Sequence, residues 1–268
     1  MEKHGIAPLK RFGQNFLTDA NIADKIAACA VPEGACALEI GAGLGALTQR
    51  LAKRALRVVS YEIDSGLIRA LGESLGAAAN VSVIHQDFMK ADIEAQLPAL
   101  LDGDIYVAAN LPYYITTDCI MKLMTTKLPV KSITVMVQKE FAERLLAAPG
   151  EEGYGALNAA VGYYADCALL FDVSASCFLP APEVSSTVIR LDMRGIIDSG
   201  DYLKTVKGLF AAKRKTVKNN LKNSFSLSQD EAETVLKLAG IDENARAQNL
   251  SVNDFLYITE NIKKIKKM

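Results

Sequence analysis

Apolar residues recur along the first two thirds of the chain with two alternating periods. Ile22 and Ile26 stand about one turn apart within residues 19–30, behind a Thr18 or Asp19 cap, and Pro32 and Gly34 stop this helix. A continuous apolar run from Ala35 to Ile40 then reads as a buried strand. It opens into Gly41-Ala-Gly-Leu-Gly45, a helix from about Ala46 to Lys53, and a second strand from Arg57 to Tyr61, a βαβ unit. Further strands are expected at Val81–Ile84, Asp104–Ala109 and Ser132–Gln138, with helices at Ser65–Leu75, Thr117–Thr125 and Lys139–Ala148. Such alternation predicts an α/β fold whose mostly parallel sheet is covered by helices on both faces.

From Asp201 the pattern turns purely helical. Val206, Phe210, Val217 and Leu221 form an apolar stripe, and Gly240 closes a later helix. The domain boundary is therefore placed near Arg194-Gly195, giving a larger domain of residues 1–195 and a smaller all-helical one of residues 196–268. With 268 residues, half of them hydrophobic, the chain has enough apolar surface for a core in each.

Composition narrows the class. No run of about 18 uninterrupted apolar residues occurs, and Met1–Phe12 lacks the apolar core of a signal peptide, so a cytoplasmic chain with no membrane partner is expected. The five cysteines form no CxxC pair and there are only two histidines, which supports neither a zinc site nor a disulfide framework; no metal is expected. His4 and His85 have no placed acid partner and read as structural. The net charge of −1 conceals an asymmetry: residues 196–268 hold 13 Lys+Arg against 9 Asp+Glu, while residues 1–195 hold 17 against 22. That split suggests a basic docking face attached to a more acidic body.

The candidate chemistry sits at strand ends. A strand closing in Glu39-Ile-Gly41-Ala-Gly43-Leu-Gly45 needs glycines where the backbone turns sharply and approaches a ligand, although an ordinary tight strand–helix turn reads the same way. Glu62, at the tip of the second strand, can accept hydrogen bonds from the ribose hydroxyls of an adenosine-containing cofactor, and Asp64 is a weaker candidate. The GxGxG spacing preceded by Glu39 differs from the pyrophosphate-binding GxGxxG. It suits S-adenosyl-L-methionine, which carries cationic groups and no phosphate. Asp87 follows the strand Val81–Ile84 and can accept from the cofactor's adenine amino group while Phe88 covers the ring; alternatively it caps a helix.

The strand Asp104–Ala109 delivers Asn110-Leu111-Pro112-Tyr113 to the same sheet edge. The lone pair of an adenine N6 amino group is delocalised into the ring, so two acceptors must draw its hydrogens aside before it attacks a methyl group. The Asn110 side-chain oxygen and the Leu111 carbonyl, set by Pro112, can be those acceptors, and Tyr113 offers a stacking face. No general base is needed, because the methylated nitrogen loses its proton readily; reaching the pocket requires an unpaired or extruded base. The bland alternative is a strand followed by an Asn-x-Pro turn.

Taken together, Arg11-Phe-Gly-Gln-Asn-Phe-Leu17, Leu38–Thr48, Tyr61-Glu-Ile-Asp64, Gln86-Asp-Phe88, Asn110–Thr116 and Phe178-Leu-Pro-Ala-Pro-Glu-Val-Ser-Ser186 resemble the ribosomal RNA adenine dimethyltransferase family, most closely its bacterial small-subunit branch. The resemblance covers nearly the whole chain. It implies a Rossmann-like class I methyltransferase sheet with a smaller helical C-terminal domain. It also implies methyl transfer from S-adenosyl-L-methionine to N6 of two adjacent adenines near the 3′ end of 16S rRNA in the small ribosomal subunit, by a monomeric enzyme. Residue by residue it marks Asn15, Leu17, Gly41, Glu62, Asp87 and Asn110 as cofactor-binding, and Phe178 as a second stacking wall opposite Tyr113. Without it, Phe178 would be read as a core aromatic.

Residues 204–222 hold seven Lys+Arg and no acid. Among them Lys213, Arg214, Lys215, Lys218 and Lys222 are candidate RNA phosphate contacts, with Arg214, Lys218 and Lys222 on one helix face; a solvated face is the alternative. Three rival functions remain: a 23S rRNA adenine methyltransferase of the erythromycin-resistance type, a DNA adenine methyltransferase, which Leu111 disfavours, and a non-catalytic ribosome-assembly factor.

Overall fold

The computed structural model describes residues 15–76, 78–197 and 200–267. His4 and the Arg11–Gln14 part of the Arg11–Leu17 motif lie outside them. The chain divides into two compact units, one taking the chain up to Ala142 and again Ala165–Gly195, the other taking Glu143–Tyr164 and the residues from Ile196 on. The boundary expected near Gly195 is thus one of three crossings, and residues 143–164 group with the C-terminal helices.

In the first unit the strands are β1 (Phe16–Leu17), β2 (Cys36–Ile40), β3 (Arg57–Glu62), β4 (Val81–His85), β5 (Ile105–Asn110), β6 (Val130–Gln138), β7 (Ala165–Val173), β8 (Phe178–Leu179) and β9 (Ser186–Met193). Between them run α1 (Ala20–Ala30), α2 (Ala46–Arg54), α3 (Ser65–Leu75), the short α4 (Ile93–Gln96), α5 (Thr116–Met124) and α6 (Lys139–Leu145), the last reaching the unit boundary. Asp19, one of the two expected caps, closes the N-terminus of α1 by accepting from Asn21 N at 2.8 Å and Ile22 N at 3.2 Å.

Seven strands form one sheet in the order β4-β3-β2-β5-β6-β9-β7. Strands β2 to β6 pair in parallel, and β9 runs antiparallel to both β6 and β7. The sheet is Rossmann-like, with an antiparallel edge that the hydrophobic pattern did not reveal. β2, a central strand with β3 and β5 as neighbours, is buried at all five positions, as a strand covered on both faces of the sheet is.

This order positions the site. From β2 the chain winds outward through β3 and β4, then returns to lay β5 on the other flank of β2. The register sets Ile40 beside both Tyr61 and Ala109, and Glu62 beside His85. Gly41, Glu62, Asn110 and the residues after His85 therefore emerge at one carboxyl edge, at the point where the winding reverses, which is where open α/β sheets bind ligands.

The second unit contains α7 (Ala156–Tyr164), α8 (Asp201–Phe210), α9 (Val217–Phe225), α10 (Gln229–Ala239) and α11 (Val252–Lys267). Ala159 of α7 joins Tyr202, Val206, Leu221 and Phe255 in one buried cluster, which is why residues 143–164 leave the sheet-bearing unit. Of the predicted stripe, Val206, Val217 and Leu221 are buried and Phe210 packs against them. α8 and α9 cross closely: a Cβ on Gly208 would lie 2.6 Å from the Phe225 ring. Ser228 caps α10 through a capping box, and Gly240 ends it in the left-handed region at φ 69°.

Candidate active site

Asn15, Gly41, Glu62, Asp87, Asn110, Leu111, Pro112 and Tyr113, predicted from separate motifs, line one cavity of about 310 Å³ at the carboxyl edge of the sheet. Gly41, Gly43 and Gly45 all take positive φ, at 79°, 57° and 83°, so the loop follows a path that other L residues rarely adopt. Gly43 is also a point of close approach, since a Cβ there would come within 3.3 Å of the Phe16 ring.

The Glu62 carboxylate ties this loop to β3. One oxygen accepts from Gly43 N and the other from Asp64 N, both at 2.8 Å. Burial pushes the Glu62 carboxyl above the usual range, and these backbone donors oppose that rise. Glu39 lies elsewhere. It is 1% exposed, does not line the cavity, and accepts from Thr48 Oγ1 and Ser60 Oγ at 2.7 Å each, so its function is to join β2, α2 and β3. Burial raises its carboxyl to about 7.

One wall is aromatic. Phe88 meets Tyr61 edge-on with ring centroids 5.3 Å apart, and Tyr61 Oη donates to Gln96 Oε1 at 2.7 Å while Gln96 holds Gln86 at 3.0 Å. Tyr61 and Gln86 also line the cavity; both stand in motifs that carry the resemblance, Tyr61–Asp64 and Gln86–Phe88, but neither was assigned a role from sequence. Asp87 lines the cavity and also caps a 3-10 turn, Phe88–Lys90, by accepting from Met89 N at 2.9 Å.

The opposite side is the Asn110–Tyr113 segment. Asn110 Nδ2 donates to the Asn15 carbonyl at 3.0 Å, and no described residue donates to Asn110 Oδ1. Pro112, at φ −58° and ψ 134°, turns the chain into a 3-10 turn over Tyr113–Ile115, and its carbonyl accepts from Ile115 N and Thr116 Oγ1 at 3.2 Å each. Tyr113 Oη lies 3.3 Å from Ser186 Oγ, which fixes the ring's far end, and the neighbouring Tyr114 is exposed at the cavity rim.

Two predicted residues fall elsewhere. β1 pairs antiparallel with β8, setting Leu17 opposite Phe178, and both side chains turn into the core with Val173, Met136 and Val188. At 5% exposure Phe178 is a core aromatic and not a wall of the cavity. The basic cluster is also rearranged. Thr216 caps α9 by accepting from Asn219 N, so Lys213, Arg214 and Lys215 sit on the exposed turn before the helix, and Arg214 does not share a helix face with Lys218 and Lys222. Lys218 is paired with Glu243 at 2.5 Å and Glu233 at 3.4 Å, which offsets its charge.

The described residues contain no group of three or more His, Cys, Asp or Glu placed to hold a metal, and no helix long and apolar enough to cross a membrane. The lining fits an adenosyl ligand: an accepting carboxylate at the tip of β3, a second after β4, and the aromatic rings of Tyr61 and Phe88.

Comparison with known proteins agrees. The ribosomal RNA adenine dimethylase family model matches residues 8–264. The ribosomal RNA small subunit methyltransferase A of Geobacillus kaustophilus is 42% identical over 266 residues, covering 95% of this chain and 91% of its own. A crystal structure of a dimethyladenosine transferase from Plasmodium falciparum aligns with TM-score 0.76 at 26% identity, covering 93% of this chain and 98% of that one. The 23S rRNA methyltransferase ErmE aligns with TM-score 0.68 at 25% identity, covering 93% and 100%. Matched nearly end to end by the family model and by a relative of this identity, the chain belongs to the ribosomal RNA adenine dimethylase family.

Proposed function

We propose that the protein transfers methyl groups from S-adenosyl-L-methionine to N6 of two adjacent adenines near the 3′ end of 16S rRNA in the small ribosomal subunit, acting as a cytoplasmic monomer. One observation carries the chemistry: Asn110, with its nitrogen held by the Asn15 carbonyl, has a side-chain oxygen to which no described residue donates, in the cavity that Glu62 and Asp87 line. Glu62 binds the cofactor's ribose hydroxyls, Asp87 accepts from its adenine amino group, and Gly41 admits it against the backbone. Asn15 holds Asn110 in place.

S-adenosyl-L-methionine supplies an electrophilic methyl group when bound. The residues of the chain provide placement. Asn110 Oδ1 and the Leu111 carbonyl accept the two N6 hydrogens and free the nitrogen lone pair, while Tyr113 stacks on the extruded base. Holding nucleophile and methyl together accounts for most of the acceleration, so no side chain need act as a general base. In the C-terminal unit the exposed Lys213, Arg214 and Lys215, with the half-buried Lys222, contact RNA phosphates.

The closer sequence likeness to a small-subunit enzyme than to a 23S enzyme supports the substrate assigned here. Labelled S-adenosyl-L-methionine supplied with undermethylated small subunits, and separately with large-subunit RNA, tests it. Label is expected in the small-subunit RNA, and label confined to the large-subunit RNA contradicts the proposal.

A further inference from the structure

α5 starts at the segment that holds the target base and ends beside the loop that forms the cofactor wall. Lys122, in its last turn, is half-buried and directs all of its hydrogen bonding into that loop. Nζ donates to the carbonyls of Phe88 at 2.7 Å, Met89 at 3.1 Å and Ala91 at 2.7 Å. An ammonium has three donors, so its capacity is filled. Nζ also lies 5.0 Å from the centroid of the Phe88 ring, within cation–π reach. One turn earlier, Cys119 Sγ sits 3.5 Å from Met89 Sδ, a second point of attachment between helix and loop.

A lysine gathering the carbonyls at the end of a short helical turn is common and needs no functional reading by itself. Here the gathered residues are themselves the wall: Phe88 and Met89 line the cavity, and Asp87 caps the same turn from its other end. Moving this turn moves Asp87 and Phe88 together. The Lys122 ammonium is also held against a cost, since burial lowers its proton affinity and no carboxylate pairs with it among the described residues.

We propose that Lys122 is a positioning residue for cofactor recognition, fixing Asp87 and Phe88 against the cofactor's adenine from the helix that also carries the target-base segment. This rests on the assignment of the cavity to S-adenosyl-L-methionine. The consequence is selectivity for the adenine end of the cofactor, and the group selected is the amino group that Asp87 faces.

The test compares binding of S-adenosylhomocysteine and its inosine counterpart, which has a carbonyl in place of that amino group, by titration calorimetry on the full chain. The native protein is expected to favour the adenosine form. Lys122→Met keeps the stem and removes the donors; it is expected to weaken binding of the adenosine form by about tenfold and to narrow its advantage over the inosine form. KM for the methyl donor should rise more than kcat falls, and Lys122→Arg, which keeps charge and donors, should recover much of the loss. A native ratio between the two ligands in Lys122→Met overturns the proposal, whether both affinities are unchanged or fall in proportion, the latter being what general loosening produces. If Lys122→Met does not fold, Lys122→Gln carries the same comparison. Asp87→Ala separates the two layers: if it binds both ligands as the native protein does, the cavity assignment itself fails, whatever Lys122 does.

Discussion

Asn110 uses its two amide atoms differently, which makes its replacement informative. The nitrogen is engaged by the Asn15 carbonyl and the oxygen is left for the cavity. Asn110→Ala is therefore expected to lower kcat about a hundredfold or more by removing an acceptor from the transferring centre, while cofactor affinity changes by less than about tenfold. Equal losses in both, measured by methyl transfer and by calorimetry, would place Asn110 in binding and not in the chemistry. Glu39 gives a pH-dependent counterpart. Its carboxyl is raised from 4.5 to about 7 in the folded chain, so between those values the unfolded chain releases a proton that the folded chain retains. The unfolded state binds fewer protons there, and raising pH through that window destabilises the fold. Relative to Glu39→Gln, the native protein should lose on the order of 3 kcal/mol between pH 4.5 and pH 8 in denaturant titrations; a gap independent of pH would contradict the burial account. Glu62, Asp87 and Asn110 were legible in the sequence because each is a polar residue at or just past the end of an apolar strand. For Phe178 the residues alone suggest a core aromatic and the resemblance a stacking wall; β8 pairing with β1 sets the ring in the core, as the residues alone suggest.

At the scale of elements, the periodic helices and parallel strands were readable nearly to the residue: α3 was expected and found at Ser65–Leu75. The basic segment shows what periodicity misses. Lysines and arginines at helical spacing from 213 to 222 suggest one face, but Thr216 starts α9 only at Val217 and leaves three of them on a turn. Lys218 then points to Glu233 and Glu243, acids that are distant in sequence. A charge paired in this way contributes little further attraction to a phosphate, whereas an exposed cation on the turn releases counterions when it binds one. Changing Lys213, Arg214 and Lys215 together to glutamine should weaken binding to small subunits and reduce the slope of log affinity against log salt by about 2. Lys218→Gln should leave that slope in place. The reverse pattern would assign RNA contact to α9 and not to the turn before it.

For the molecule as a whole, the parallel half of the sheet was legible and its antiparallel edge was not. β7 carries a register irregularity between Leu169 and Phe171 that breaks the period of two, and β9 mixes Ser186, Thr187, Arg190 and Asp192 into a strand flanked on both sides. The assignment of residues 143–164 to the helical unit was hidden for a related reason: it depends on Ala159 packing with residues more than 40 positions away, such as Tyr202. The reversal of winding between β2 and β5, by contrast, follows from chain order and parallel pairing, and it gathers motifs from four strands into one cavity. The central claim is that this cavity methylates N6 of adenine in small-subunit RNA. The most direct test is nucleoside mass spectrometry of 16S rRNA from undermethylated small subunits after incubation with the protein and S-adenosyl-L-methionine. The account predicts new N6,N6-dimethyladenosine at two adjacent positions near the 3′ end, and methylation only at a ring nitrogen, at another base, or not at all would contradict it.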